Sequence, residues 1–297
     1  MDEHDGLAQR FESHRGHLRA VAYRMLGSLS EAEDAVQETW LRLGRVDPDQ
    51  IDNLAGWLTT VVSRICLDLL RARRARPEEP VGAQVADRIR EADEHVDGGD
   101  PEREALLVDS VGRALLVVLD RLAPAERLAF VLHDLFAVPF DQIAPIVERS
   151  PVTTKKLASR ARQRIQGAPA LPRTELAEHR QVVDAFLAAC RGGDLDTLMA
   201  VLAPDVVRRA ERSLLPAGAA TVVRGAEAVA QQTMVLGRRA RYAEPALVNG
   251  AVGVLVAPHG RLLLVLTVQV SGNRVAGYEV IADPARLRGL DLAVLPT

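Results

Sequence analysis

The chain has 297 residues, 48% of them apolar, and a formal net charge of −3. That length supplies two or three domains with enough apolar side chains for each to bury a core. The charge excludes a surface coated in positive potential, so any contact with nucleic acid must come from local patches. The two cysteines, Cys66 and Cys190, have no paired spacing and read as reduced core thiols of a cytoplasmic protein. The acidic start Met1-Asp2-Glu3-His4-Asp5 lacks the pattern of a secretory signal. No apolar run reaches the roughly 18 residues of a membrane span, so no membrane contact is expected.

In chain order, Leu7, Phe11, Leu18, Val21, Ala22 and Met25 recur at helical spacing up to the Gly27-Ser28 break. Ser30-Glu31-Ala32-Glu33 reads as a capping box for a second helix. That helix turns Ala32, Ala35, Val36, Thr39, Trp40 and Leu43 inward and Glu31, Asp34 and Glu38 outward. A polar connection from Asp47 to Asn53 precedes a long helix, Leu54 to Arg76. Its expected core face is Trp57, Leu58, Val61, Ile65 and Leu69. Arg71, Arg73, Arg74 and Arg76 crowd its end. The helix dipole alone explains one or two cations there; four suggest a phosphate-contacting patch. Residues 77 to 104 are strongly acidic and loosened by Gly98-Gly99 and Pro101, as in a tether.

The stretch from Phe140 to Gln166 predicts two helices about a Glu148-Arg149-Ser150 break. Ser150 serves as N-cap and Pro151 as first residue of the second helix. Leu157, Ala161 and Ile165 form the expected apolar stripe. Lys155, Ser159 and Arg162 share another face, and Arg149, Lys156, Arg160 and Arg164 add charge. This is the pattern of a helix-turn-helix with a second helix sized for the major groove. After Pro169–Pro172, residues 173–297 predict helices first and then an antiparallel sheet, an α+β cone. Helices are expected at Glu175–Cys190, Asp196–Leu202 and Gly225–Leu236. Strands are expected at Val206–Arg208, Thr221–Arg224, Tyr242–Val248, Gly253–Ala257, Leu262–Val270 and Arg274–Ile281. Asp205, Glu227, His259 and Glu279 are its ionisable candidates, and no pair of them fixes an acid and a base on one element. His14 and His17 have no third ligand, so no metal is expected.

Three runs carry a resemblance: E-A-E-D-A-V-Q-E-T-W-L-R from Glu31, N-L-A-G-W-L-T-T-V-V-S-R-I-C-L-D-L-L-R-A-R from Asn53, and L-D-R-L-A-P-A-E-R-L-A-F-V-L-H-D-L-F from Leu119. In this order, with the helix-turn-helix after them, they resemble an extracytoplasmic-function (ECF) sigma factor of the sigma-70 family. The runs F-L-A-A-C-R-G-G-D-L-D-T-L-M-A-V-L-A-P-D-V-V from Phe186 and G-N-R-V-A-G-Y-E-V-I-A-D-P-A-R-L from Gly272 resemble a SnoaL-like (NTF2-like) domain, an extension carried by one subgroup of these factors.

The resemblance implies a multidomain fold: two all-α sigma domains, the second with the helix-turn-helix, then an α+β SnoaL-like cone. Residues 1–76 would be region 2, 77–104 the acidic linker, 105–167 region 4 and 173–297 the regulatory domain. The implied partners are core RNA polymerase, through the clamp of its β′ subunit, and promoter DNA, with a small-molecule or protein regulator at the last domain. No cofactor and no enzymatic activity are implied; the alternative is an enzyme or ligand sensor working in the SnoaL-like pocket. By position, Glu31, Asp34 and Glu38 would touch the polymerase. Asp49, Asn53, Trp57, Arg64, Arg71, Arg73 and Arg74 would serve the −10 element. Thr153, Thr154, Lys155, Lys156, Ser159 and Arg160 would face the −35 element, with Arg162 and Arg164 on phosphates. The subgroup's Trp-Leu-Pro motif is absent after Glu78-Glu79-Pro80-Val81-Gly82, and Glu211-Arg212-Ser213-Leu214 stands where it has Asp-Gly-Gly-Gly. The last domain's contacts must therefore differ from the subgroup's, or be weaker.

Overall fold

A computed structural model describes residues 3–47, 51–75, 112–215, 218–235 and 237–296. The acidic segment 77–104 and Asp49 lie outside the described residues. The described residues fall into two compact units, one of residues 3–75 and 119–164, the other of residues 112–118 and 165–296.

In the first unit α1 (Glu3–Leu26), α2 (Leu29–Leu43) and α3 (Leu54–Ala75) pack on one another. Leu18, Val21 and Met25 of α1, Ala35, Val36 and Leu43 of α2 and Leu58, Val62 and Cys66 of α3 are all buried where these helices pack. The cap of α2 differs from expectation. Ser28, not Ser30, is the N-cap, and its hydroxyl accepts from the Glu31 amide. The cap thus falls two residues earlier, because Leu29 and Ser30 are already helical, and the Glu31 carboxylate pairs with Arg73 instead of closing a box. The buried face of α3 also departs from expectation. Leu69 is 40% exposed, while Val62, Cys66 and Leu70 are buried. The reason is that α3 is covered on two sides, by α1 and α2 and also by the helices Pro124–Phe130 and Phe140–Val147, so its apolar stripe is wider than one face.

Here α4 is Arg113–Asp120, α5 is Pro124–Phe130, continuing as a π-helical turn over Val131–Leu135, α6 is Phe140–Val147 and α7 is Pro151–Gln166. The α6–α7 turn passes through Glu148, whose left-handed φ of 57° ends α6. Ser150 caps α7 as expected, its hydroxyl accepting from the Thr153 amide at 3.3 Å.

In the second unit α8 (Arg173–Gly192) and α9 (Leu195–Val201) precede β1 (Leu202–Ala210), β2 (Val222–Arg224), α10 (Ala226–Val235), β3 (Ala243–Val248), β4 (Ala251–Val256), β5 (Leu264–Ser271), β6 (Arg274–Ile281), α11 (Pro284–Gly289) and β7 (Leu292–Ala293). The sheet order is β2-β1-β6-β5-β4-β3-β7. Val183, Phe186 and Leu187 of α8 share one apolar core with Val254, Val275 and Tyr278 of the sheet. This is the α+β architecture expected of a SnoaL-like cone, with three corrections. The sheet is mixed, because β1 pairs in parallel with β6. β1 begins at Leu202 and runs through Pro204-Asp205, which were expected to lead into it. α11 and β7 were not anticipated: each has six residues or fewer, too short for a periodic signal.

Candidate nucleic-acid interface

On α7, Lys155, Lys156, Ser159 and Arg160 are all exposed, one continuous polar and cationic face beyond the helix-turn-helix turn. Thr153 is half-buried, its hydroxyl 3.0 Å from that of Ser150. Thr154 is corrected. It is fully buried, and its hydroxyl donates to the Ser150 carbonyl at 3.0 Å, the back-bond a Thr makes four residues on, so its side chain reaches no groove. Ala161 and Ile165 of the expected stripe are buried, with Ala158 beside them, while Leu157 is only half-buried. Arg162 and Arg164, expected on phosphates, are in ion pairs. Both Nε and Nη2 of Arg162 donate to Asp134, at 2.9 and 2.6 Å, and Arg164 donates to Glu126 at 2.5 Å. These pairs fasten α7 to α5 and its π-helical continuation.

The region expected at the −10 element is engaged in the same way. Asn53 is the N-cap of α3, its Oδ1 accepting from the Gly56 amide at 3.0 Å. Trp57 is half-buried and Arg64 exposed. Arg71 lies 3.6 Å from Asp68. Arg73 pairs with Glu31 and donates to the Leu26 carbonyl at 3.4 Å. Arg74 donates to the Leu122 carbonyl at 2.8 Å. Of the expected polymerase contacts, Asp34 is exposed and Glu38 pairs along α2 with Arg42 at 2.9 Å. Glu31 is corrected: it is half-buried against Arg73 and does not face outward.

Several residues were missed. Arg127 on α5 is only 2% exposed; its Nε donates to the Arg24 carbonyl and its Nη1 to Asp120, both at 3.2 Å. It was read only as part of a motif, since sequence does not tell a buried arginine from a solvated one. Val152, 67% exposed at the start of α7, and Leu41, 49% exposed one turn beyond Glu38, are large apolar side chains left in water. Glu211 accepts from the amides of Ala282 and Asp283 and pairs with Arg286, so the residue in the departed motif anchors the start of α11.

The expected ionisable groups of the cone do not converge. Asp205 and Glu227 are exposed, Glu279 pairs with Arg286 at 2.8 Å, and the His259 side chain lies outside the description. Thr233 spends its hydroxyl proton on the Val229 carbonyl at 2.7 Å, so Tyr278 donates to Thr233, at 2.6 Å. Burial pushes the Tyr278 phenol up to about 12, and the Cys66 and Cys190 thiols likewise to about 12. None of the three is a base or nucleophile at neutral pH.

Residues 10–76 match the family description "Sigma-70 region 2" and residues 112–165 match "Sigma-70, region 4". Over 97% of both chains the sequence is 36% identical to a Mycobacterium tuberculosis protein named "Probable ECF RNA polymerase sigma factor SigI". It is 39% identical to the ECF RNA polymerase sigma factor SigJ of the same organism, over 95% of this chain and 93% of that one. A crystal structure of M. tuberculosis SigJ aligns over 95% of this chain and 98% of its own, at 33% identity and a TM-score of 0.45. The chain belongs to the ECF RNA polymerase sigma factors.

Proposed function

We propose that the chain binds core RNA polymerase and directs it to a class of promoters, residues 1–76 serving the −10 element and residues 105–167 the −35 element across the linker 77–104. The observation that carries this reading is the exposed Lys155, Lys156, Ser159 and Arg160 face on a capped helix after a helix-turn-helix turn. Val152 at the same end suits the methyl group of a thymine. Asp34, Glu38 and Leu41 together make an acidic and apolar strip on α2 for the polymerase clamp. A Lys155→Ala/Arg160→Ala double variant should retain core-polymerase binding and lose promoter-dependent transcripts. Unchanged transcription would refute the assignment.

The first unit reads as a resting state. Arg73, Arg74, Arg162 and Arg164, all assigned to phosphates, hold carbonyls and carboxylates of their own unit. Promoter engagement requires them to exchange those partners for DNA. The last domain, residues 173–297, regulates in cis and performs no catalysis on this reading. What supports a regulatory role is that the second unit takes in residues 112–118, the opening of the stretch matched to region 4. There Glu244 of β3 accepts from the amides of Arg113 and Ala114, at 2.6 and 3.2 Å, capping α4. Glu244→Ala should raise promoter-dependent transcription at limiting sigma factor.

A further inference from the structure

We infer that the cone of the second unit binds a small organic carboxylate, with Arg208 as its anchor. Arg208 lies in the middle of β1, beside Tyr278 of β6 in register and opposite Val223 of β2. Only 2% of it is exposed. Among the described residues its guanidinium makes one hydrogen bond, from Nη2 to the Ala220 carbonyl at 3.3 Å, and its Nε is buried with no acceptor. No carboxylate among the described residues pairs with it. Glu279, next to Tyr278 on β6, pairs with Arg286 instead, and Asp205 and Glu227 are exposed.

An arginine does not deprotonate in a protein, so this is a permanent cation with no counter-charge among the described residues. Long cationic side chains usually bury the stem and leave the head in water; here the head is buried too. Such a group is normally paired with an anion, and the described residues supply none at this place. Its neighbours belong to one apolar core that includes Val206, Val223, Phe186 and Tyr278. Tyr278 gives its proton to Thr233, so it contributes a wall and not a second donor to a ligand. A single planar fork in apolar surroundings matches a monoanionic carboxylate on an apolar body. A phosphate would bring up to two negative charges into these apolar surroundings, more than one guanidinium offsets. The binding stands apart from the regulatory reading above, and its failure would leave that reading intact.

The test is thermal unfolding of the full chain with sodium benzoate and sodium hexanoate as probes, benzamide as the neutral isostere of benzoate, and inorganic phosphate as control. At least one carboxylate should raise Tm saturably, with no shift from benzamide. In Arg208→Met the shift should disappear while Tm without ligand stays equal or rises, since an unpaired charge has been removed. If Arg208→Met fails to fold, Arg208→Lys is read in its place. It keeps the charge and loses the fork, and half-saturation should move about tenfold higher, a difference of about 1.4 kcal/mol. The inference is overturned if neither carboxylate shifts Tm, if benzamide shifts it equally, if Arg208→Met responds like the parent, or if phosphate alone acts.

Discussion

Arg127→Ala probes whether the packing in the first unit restrains the sigma regions. Arg127, from the segment matched to region 4, reaches the Arg24 carbonyl near the end of α1, in the segment matched to region 2. Its other partner, Asp120, has a side chain 72% exposed, and rehydrates freely once released. The loss is therefore concentrated at the Arg24 carbonyl, about 1–3 kcal/mol for a buried acceptor left unmade. With the buried stem also removed, the total is about 2–4 kcal/mol. Since 1.4 kcal/mol is a factor of ten, about 3 kcal/mol shifts a closed-to-open equilibrium by roughly a hundredfold. If polymerase binds only the open form, its apparent Kd falls by up to that factor, limited by how far the closed form dominates. Arg127→Met keeps the stem and drops the charge, and a well-packed hydrophobe in place of a buried ion is often neutral, so it should shift Kd less. The assay is titration of labelled chain with core polymerase beside urea unfolding of each variant. Arg127→Ala with a lower urea midpoint and an unchanged Kd would refute the idea that this packing restrains binding.

Three further outcomes follow from the same contacts. Burial, and then the charge of His14, hold His17 below its ordinary value; it packs edge-on at 5.1 Å from Phe136, near the Thr59 hydroxyl, with Arg24 over the same Phe136 ring. The unfolded chain thus takes up this proton first, so stability is lost as pH falls through the unfolded value of about 6.5, and His17→Gln should flatten that part of a urea-midpoint profile between pH 7.5 and 5.5. Gly250→Ala should lower stability by about 1–3 kcal/mol in denaturant unfolding. Gly250 sits at φ +81° after Asn249, and a Cβ there would lie 2.8 Å from the Ala168 carbonyl. Glu211→Ala removes acceptors from the Ala282 and Asp283 amides and should cost about 1–3 kcal/mol, with faster hydrogen exchange at those two amides; unchanged exchange would count against the anchor.

How much was legible follows from how local each feature is. The turn chemistry of Ser150-Pro151 and the cationic outer face of α7 are written within a few residues, and the cap and the exposed side chains are where the spacing puts them. The buried face of α3 was misplaced because a second layer of helices covers it, and periodicity describes only a helix with one buried side. The parallel pairing of β1 with β6 joins strands more than sixty residues apart, beyond the reach of any hairpin signal. Thr154 was misassigned because a β-branched hydroxyl four residues after a cap can be satisfied by its own helix, and composition does not show which option it takes.

The arginines are a different case, because their sequence signature is the same in two states. A guanidinium recognises a phosphate and a carboxylate with one fork of donors. The sequence reads Arg73, Arg74, Arg162 and Arg164 as DNA ligands, and the folded chain gives each a protein acceptor. Both are consistent if the acceptors stand in for the DNA. Exposed pairs such as Arg162–Asp134 contribute about 0–1 kcal/mol each, so exchanging them for phosphates costs little once polymerase brings the duplex within reach. Arg127 differs in kind. It is buried, it holds a carbonyl of α1, and no phosphate can reach it without separating the helices around it. The surface pairs can therefore trade partners one at a time. If these helices separate when polymerase binds, Arg127 must let go in the same step, and for that reason it, and not the more numerous surface arginines, is where a mutation should alter the balance.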